Sequence, residues 1–184
     1  MHSTSLRSVA SDLPRSPHAR LDGSGLTGDT EAVLGSWLLL WMAETAGPDG
    51  TLEVPADALV WDVETKAWTP VPAGTTAVSK VTFDYSGYTD ANWHHGQPIT
   101  IADAVYAIAQ GQELAYDPEK VRIETAIAVT SRPVLETFKG YRLTEDDRLE
   151  VYVDYWHFDD DHIGAYAEPA GFDMPWEVKA AMDD

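Results

Sequence analysis

Residues 93–112 read WHHGQPITIADAVYAIAQGQ, and this stretch predicts a turn followed by a helix. Gly96 and Pro98 are typical turn residues. Thr100 is a favourable helix N-cap, and Asp103 three residues later approximates a capping box, with its charge near the positive end of the helix. The apolar residues that follow at helical spacing are Ile101, Val105 and Ile108. We therefore predict a helix from Ile101 to about Ala115.

The segments on either side of this helix predict antiparallel strands. Residues 80–85 alternate between apolar and polar side chains, which is typical of a half-buried strand. Residues 58–61 and 67–69 flank a four-residue turn, which predicts a β-hairpin. A second hairpin is predicted from residues 139–143 and 148–156, which are joined by an acidic turn at 145–147.

The remaining segments favour helices, with one ambiguity. Apolar residues at helical spacing predict a helix over residues 31–45, and residues 159–182 predict two helical pieces interrupted by prolines. Residues 121–129 fit either a strand or a helix. Because no regular βαβ alternation occurs, the expected class is α+β, a small antiparallel sheet with helices packed on it. We expect residues 1–29 to be a flexible tail and residues 30–184 to form a single α+β domain.

The composition restricts the classes of function. The chain has 184 residues, no cysteine and a formal net charge of −19. The missing cysteines exclude thiol catalysis, disulfides and Cys-type zinc sites. The negative charge disfavours nucleic acid as a partner. The longest apolar stretch, residues 32–43, is too short to span a bilayer, and residues 1–28 lack the apolar region of a secretory signal. We interpret the chain as part of a longer protein.

Two groups of side chains are candidates for chemistry. His94 and His95 fit either a surface turn or, less well, a metal site. His157 and His162 flank three aspartates, which fit either an acidic helix cap or a divalent-cation site. The sequence has no nucleophile elbow, phosphate-binding loop or dinucleotide fingerprint, so nothing in it indicates an enzyme or a cofactor. The residues predicted to bind a ligand are Trp93, His94, His95, Tyr155, Trp156 and His157.

The segment WHHGQPITIADAVYA at 93–107 resembles a motif of the family 5 extracellular solute-binding proteins. That motif reads Trp-His-Asp-Gly-x-Pro, a hydrophobic residue, then Thr-Ala-x-Asp-Val. His95 stands where the family has Asp, and Ala104 replaces its first Val. The segment EDDRLEVYV at 145–153 also matches the family's hairpin of an aspartate-rich turn and an alternating strand. The resemblance covers roughly residues 55–182, and it is closest at 80–108 and 140–158.

The resemblance implies a function as well as a fold. Family members are binding components of ABC importers for dipeptides, oligopeptides, nickel and some sugars. This chain would be a periplasmic-binding-protein-like subdomain, extracellular or periplasmic, held at the membrane through its parent protein. Its partners would be a peptide or other small solute, the remaining lobes of the parent, and an ABC permease. The resemblance makes Gly96, Pro98, Thr100 and Asp103 turn and cap formers. The alternative is a stand-alone acidic binding module for a divalent cation or a sugar.

Overall fold

The computed structural model describes residues 4–7, 40–144, 148–169 and 174–183. These residues form nine strands and six helices. The strands are β1 (Thr4–Arg7), β2 (Leu40–Thr45), β3 (Leu52–Glu53), β4 (Leu59–Asp62), β5 (Ala67–Pro70), β6 (Thr76–Ala77), β7 (Ser79–Asp84), β8 (Phe138–Leu143) and β9 (Arg148–Val153). The helices are α1 (Ser86–Thr89), α2 (Ile101–Tyr116), α3 (Pro118–Ile123), α4 (Thr125–Leu135), α5 (Asp160–Ala167) and α6 (Trp176–Asp183).

Seven strands form one sheet in the order β1-β2-β7-β9-β8-β4-β5, and β3 pairs with β6 in a separate two-stranded sheet. Every strand pairing is antiparallel. The expected α+β class is therefore confirmed. The two predicted hairpins correspond to β4–β5 and β8–β9, although the acidic turn at 145–147 lies outside the described residues.

Hydrophobic clusters lie on both faces of the large sheet. Val81 in β7 lies opposite Val151 in β9, and both are fully buried together with Ile163 of α5. Side chains alternate between the two faces of a strand, so Tyr152 points away from Val151. Tyr152 packs into a second cluster built from the segment around β3 and β6: Val54, Ala58, Val71 and Ala77. The helices therefore cover one face of the sheet, and the small two-stranded sheet lies on the other.

The prediction of a helix over residues 31–45 is wrong for its described part, because residues 40–45 form β2. Residues 31–39 lie outside the described residues. β7 has β9 along one edge, and β2 supplies backbone partners along the other, with Trp41 opposite Phe83 and Ala43 opposite Val81. A buried strand edge without such partners would leave its N–H and C=O groups unpaired. Pairing within the sheet therefore overrides the helical spacing of the apolar residues.

The other predicted elements are found close to their expected places. α2 begins at Ile101 and continues to Tyr116, one residue beyond the predicted end. The ambiguous residues 121–129 belong to two helices, α3 and α4. The Asp117 side chain caps α3 by accepting the N–H of Glu119 at 2.9 Å, and Pro118 begins that helix. Two helices, α5 and α6, occupy the C-terminal stretch as expected.

Residues 4–7 of the expected tail pair with β2 as strand β1. The other residues between 1 and 29 lie outside the described part of the chain. Within the described ranges, no helix is both long enough and apolar enough to cross a membrane.

Candidate functional site

A tight turn carries Trp93, His94 and His95. The Trp93 carbonyl accepts the Gly96 N–H at 2.8 Å, and the Trp93 N–H donates to the Gln97 carbonyl at 2.8 Å. Gly96 has a φ of 96°, in the left-handed region that favours glycine. The His95 Nε2 and the Gln97 Oε1 lie 3.0 Å apart. The turn therefore fixes the backbone while both imidazoles stay exposed.

Asp103 joins the start of α2 to the start of α6. Its Oδ2 accepts the backbone N–H of Thr100 at 2.8 Å, the half of a capping box that the sequence predicts. Its Oδ1 accepts the backbone N–H of Trp176 at 2.8 Å, although the two residues are 73 positions apart. The Asp103 side chain is almost fully buried, with the residue 3% exposed. Both of its oxygens are thus occupied by the fold, and neither is presented to a ligand.

The Asp103 contact places α6 beside the histidine turn, and a cavity of about 470 Å³ lies between them. Trp93, His94 and His95 line one side, and Met174, Pro175 and Val178 line the other. A volume of that size is within the usual range for small-molecule sites. The sequence predicts the first three as ligand-binding residues, but it gives no such signal for the last three.

The cavity offers hydrogen-bond donors above an apolar wall. The two imidazole rings are in edge-to-face contact, with centroids 5.4 Å apart. The Trp93 Nε1–H is shielded from solvent and has no hydrogen-bond partner among the described residues. The exposed imidazole N–H groups can donate to carbonyl or carboxylate oxygens, and the Trp93 ring adds aromatic surface. The arrangement is therefore suited to holding a polar group of a solute against an apolar surface.

The other three predicted ligand-binding residues lie elsewhere. Tyr155 stacks on Tyr166 with ring centroids 3.9 Å apart, and its carbonyl accepts the Ser79 hydroxyl at 2.7 Å. Ser79 begins β7, whereas the turn at 93–97 follows the opposite end of that strand through α1. The cavity at the turn is lined by none of Tyr155, Trp156 and His157. The structure therefore separates the six residues into two groups.

The second group is organised around the start of α5. His157 Nδ1 accepts the backbone N–H of Asp159 at 3.1 Å, and its ring lies 4.2 Å from that of His162. Asp159 in turn caps α5 by accepting the N–H of Asp161 at 3.1 Å. Trp156 is partly exposed beside this cap. Within the part of the chain that the structure describes, no three His, Asp or Glu side chains are placed to hold a metal ion together.

A polar cluster holds the C-terminal end of α6 against α2 and α3. Asp183 Oδ2 accepts hydrogen bonds from the Tyr106 hydroxyl at 2.8 Å and from the Gln110 amide at 3.1 Å. Asp183 Oδ1 lies 3.3 Å from Lys120 Nζ. Burial opposes ionisation of Asp183, but the hydrogen bonds from Tyr106 and Lys120 outweigh it and lower its pKa. Helix α6 is therefore held at both ends, by Asp103 and by this cluster.

No protein-family model matches the chain, and no curated protein is significantly similar to it.

Proposed function

We propose that this chain is a domain of an extracellular or periplasmic solute-binding protein that captures peptide-like solutes for an ABC importer. The proposal starts from the resemblance of residues 93–107 to the family 5 motif. In the α+β fold described above, Gly96 lies in the turn and Thr100 and Asp103 in the helix cap, the roles that the resemblance implies. A periplasmic-binding-protein-like subdomain is the finer fold that we propose.

The observation that carries a binding role is the cavity beside the motif. Exposed His94 and His95 can donate to the carbonyl or carboxylate oxygens of a peptide, while Met174, Pro175 and Val178 supply apolar surface for its side chains. Capture of a solute for transport requires affinity and release, and no bond of the solute has to be broken. In the parent protein, closure of other lobes over this surface would provide the difference in affinity between open and closed states.

The experiment is native mass spectrometry of the purified chain mixed with short peptides. We expect a peptide adduct that disappears in the His94→Ala/His95→Ala double variant. Both side chains are exposed, so the double variant should keep its fold. His162→Ala, which removes an exposed imidazole in α5, serves as the matched control and should retain the adduct. A folded chain that retains no peptide would contradict this domain's role in capture.

A further inference from the structure

A second groove runs along α2 where the β4–β5 hairpin faces it, and its volume is about 260 Å³. The hairpin contributes Trp61 and Trp68, whose rings meet edge to face with centroids 5.5 Å apart. Tyr106 of α2 and Trp176 of α6 complete the aromatic wall, with their ring centroids 6.2 Å apart. The groove shares no lining residue with the cavity at His94 and His95.

Small side chains on α2 create the space. Ala102, Val105 and Ala109 line the groove and recur at a spacing of three or four residues, so they lie on one face of the helix. Short residues along this face, opposite large indoles on the hairpin, keep the ring surfaces of the groove open. The space is therefore a consequence of the residue types on the two elements.

One end of the groove carries negative charge. Glu113 and Asp183 both line it. Lys120 Nζ lies 2.7 Å from Glu113 Oε2 and 3.3 Å from Asp183 Oδ1, so two carboxylates share one ammonium group. Two carboxylates thus face one ammonium group in these contacts, in a chain whose formal net charge is −19. The faces of tryptophan and tyrosine rings also attract cations.

We propose that this groove binds a small organic cation with an aromatic body. The aromatic ring would lie among Trp61, Trp68 and Trp176, and the ammonium group would lie towards Glu113 and Asp183. The volume is below the usual range for drug-sized ligands, which favours a single-ring amine. Charge complementarity at the acidic end selects a cation over an anion of the same shape. This site is independent of the solute cavity in the proposed function.

The test compares three probes of one shape and different charge: 2-phenylethylammonium, 2-phenylethanol and phenylacetate. Titration at low ionic strength, followed by tryptophan fluorescence and by two-dimensional NMR, should give the ammonium probe a Kd in the millimolar range or tighter. Phenylacetate should bind at least about tenfold more weakly, and added salt should weaken the ammonium probe. Equal affinity for all three probes, or no binding by any, would overturn the proposal.

Variants locate the site on the folded chain. Val105→Phe fills the groove and should abolish binding of 2-phenylethylammonium, whereas Val178→Phe enlarges a side chain in the other cavity and should leave it unchanged. Glu113→Gln keeps the side chain's shape, removes its charge and should weaken the ammonium probe about three- to tenfold. Circular dichroism verifies that each variant is folded. If Val105→Phe does not fold, the affinity of Glu113→Gln for the ammonium probe tests the assignment. Undiminished binding in a folded Val105→Phe or in Glu113→Gln would refute the assignment.

The two proposals fail separately. Peptide adducts that depend on His94 and His95 should survive Val105→Phe, since neither histidine lines the groove. If the chain binds peptide but does not bind 2-phenylethylammonium, the groove proposal is refuted and the proposed function is not.

Discussion

Replacement of Asp103 by alanine should destabilise the protein more than any exposed-site change, because it removes one carboxylate that serves two helices. The variant leaves the backbone N–H groups of Thr100 and Trp176 without their acceptor, at a residue that is only 3% exposed. A hydrogen bond to a charged group contributes about 1.5–3 kcal/mol. The negative charge at the start of α2 adds about 0.3–1 kcal/mol.

These contributions share one side chain and do not simply add. We expect Asp103→Ala to lower the free energy of unfolding by about 3–5 kcal/mol. For a chain of this size that corresponds to a fall in Tm of about 6–20 °C. Asp103→Asn keeps one acceptor oxygen but turns an amide N–H₂ towards the other donor, so we expect roughly half of the loss.

Urea denaturation followed by circular dichroism measures the change, and amide hydrogen exchange at Trp176 tests the contact itself. Asp49→Ala, in an exposed turn, is the matched control and should change stability by less than about 0.5 kcal/mol. If Asp103→Ala unfolds at the same urea concentration as the control, or if Trp176 exchanges no faster than in the parent chain, the link between α2 and α6 is refuted.

Two further predictions concern packing and acid stability. A Cβ at Gly164 would come within 2.7 Å of the Trp41 ring, so Gly164→Ala should destabilise by about 1–3 kcal/mol, whereas Gly111→Ala in α2 meets open space and should stabilise by about 0.5–1 kcal/mol. Tm values equal to that of the parent chain in both variants would contradict both predictions. The folded-state pKa of Asp183 lies below its unfolded value of about 3.9, so its stabilisation is present above that pH and disappears as the pH falls through the folded-state pKa. Between pH 2 and 7, the urea midpoint should therefore change less with pH in Asp183→Asn than in the parent chain. An identical pH profile in the two proteins would exclude a contribution of Asp183 to acid stability.

The sequence predicts local structure well where the turn and cap residues agree with the hydrophobic pattern. In residues 93–116, Gly96, Thr100 and Asp103 each have a local role that short-range chemistry defines, and the structure places them accordingly. The same reasoning fails for residues 40–45, whose apolar spacing suits a helix. Their strand conformation is fixed by pairing with β7, a partner about 40 positions away that no local pattern reveals.

The candidate site shows the same division. The histidine turn was predictable because glycine and proline define it locally. The opposite wall, from Met174 to Val178, was not, because it depends on the hydrogen bond between Asp103 and Trp176. Likewise, no local pattern reveals that Tyr155, a predicted ligand-binding residue, stacks on Tyr166. Its stacking partner lies in α5, on the far side of a turn.

The most direct test of a peptide-binding role is the NMR signal of the Trp93 indole Nε1–H during titration with a tripeptide, with Trp93→Phe assigning the signal. The Trp93 side chain lines the cavity, and its Nε1–H is shielded from solvent with no hydrogen-bond partner among the described residues, so a solute seated against the ring changes the surroundings of this group. We predict that its signal shifts and saturates with added peptide, together with those of His94 and His95, while the Trp156 indole signal stays in place. A Trp93 signal that does not move at millimolar peptide would contradict the proposal that this cavity receives the solute.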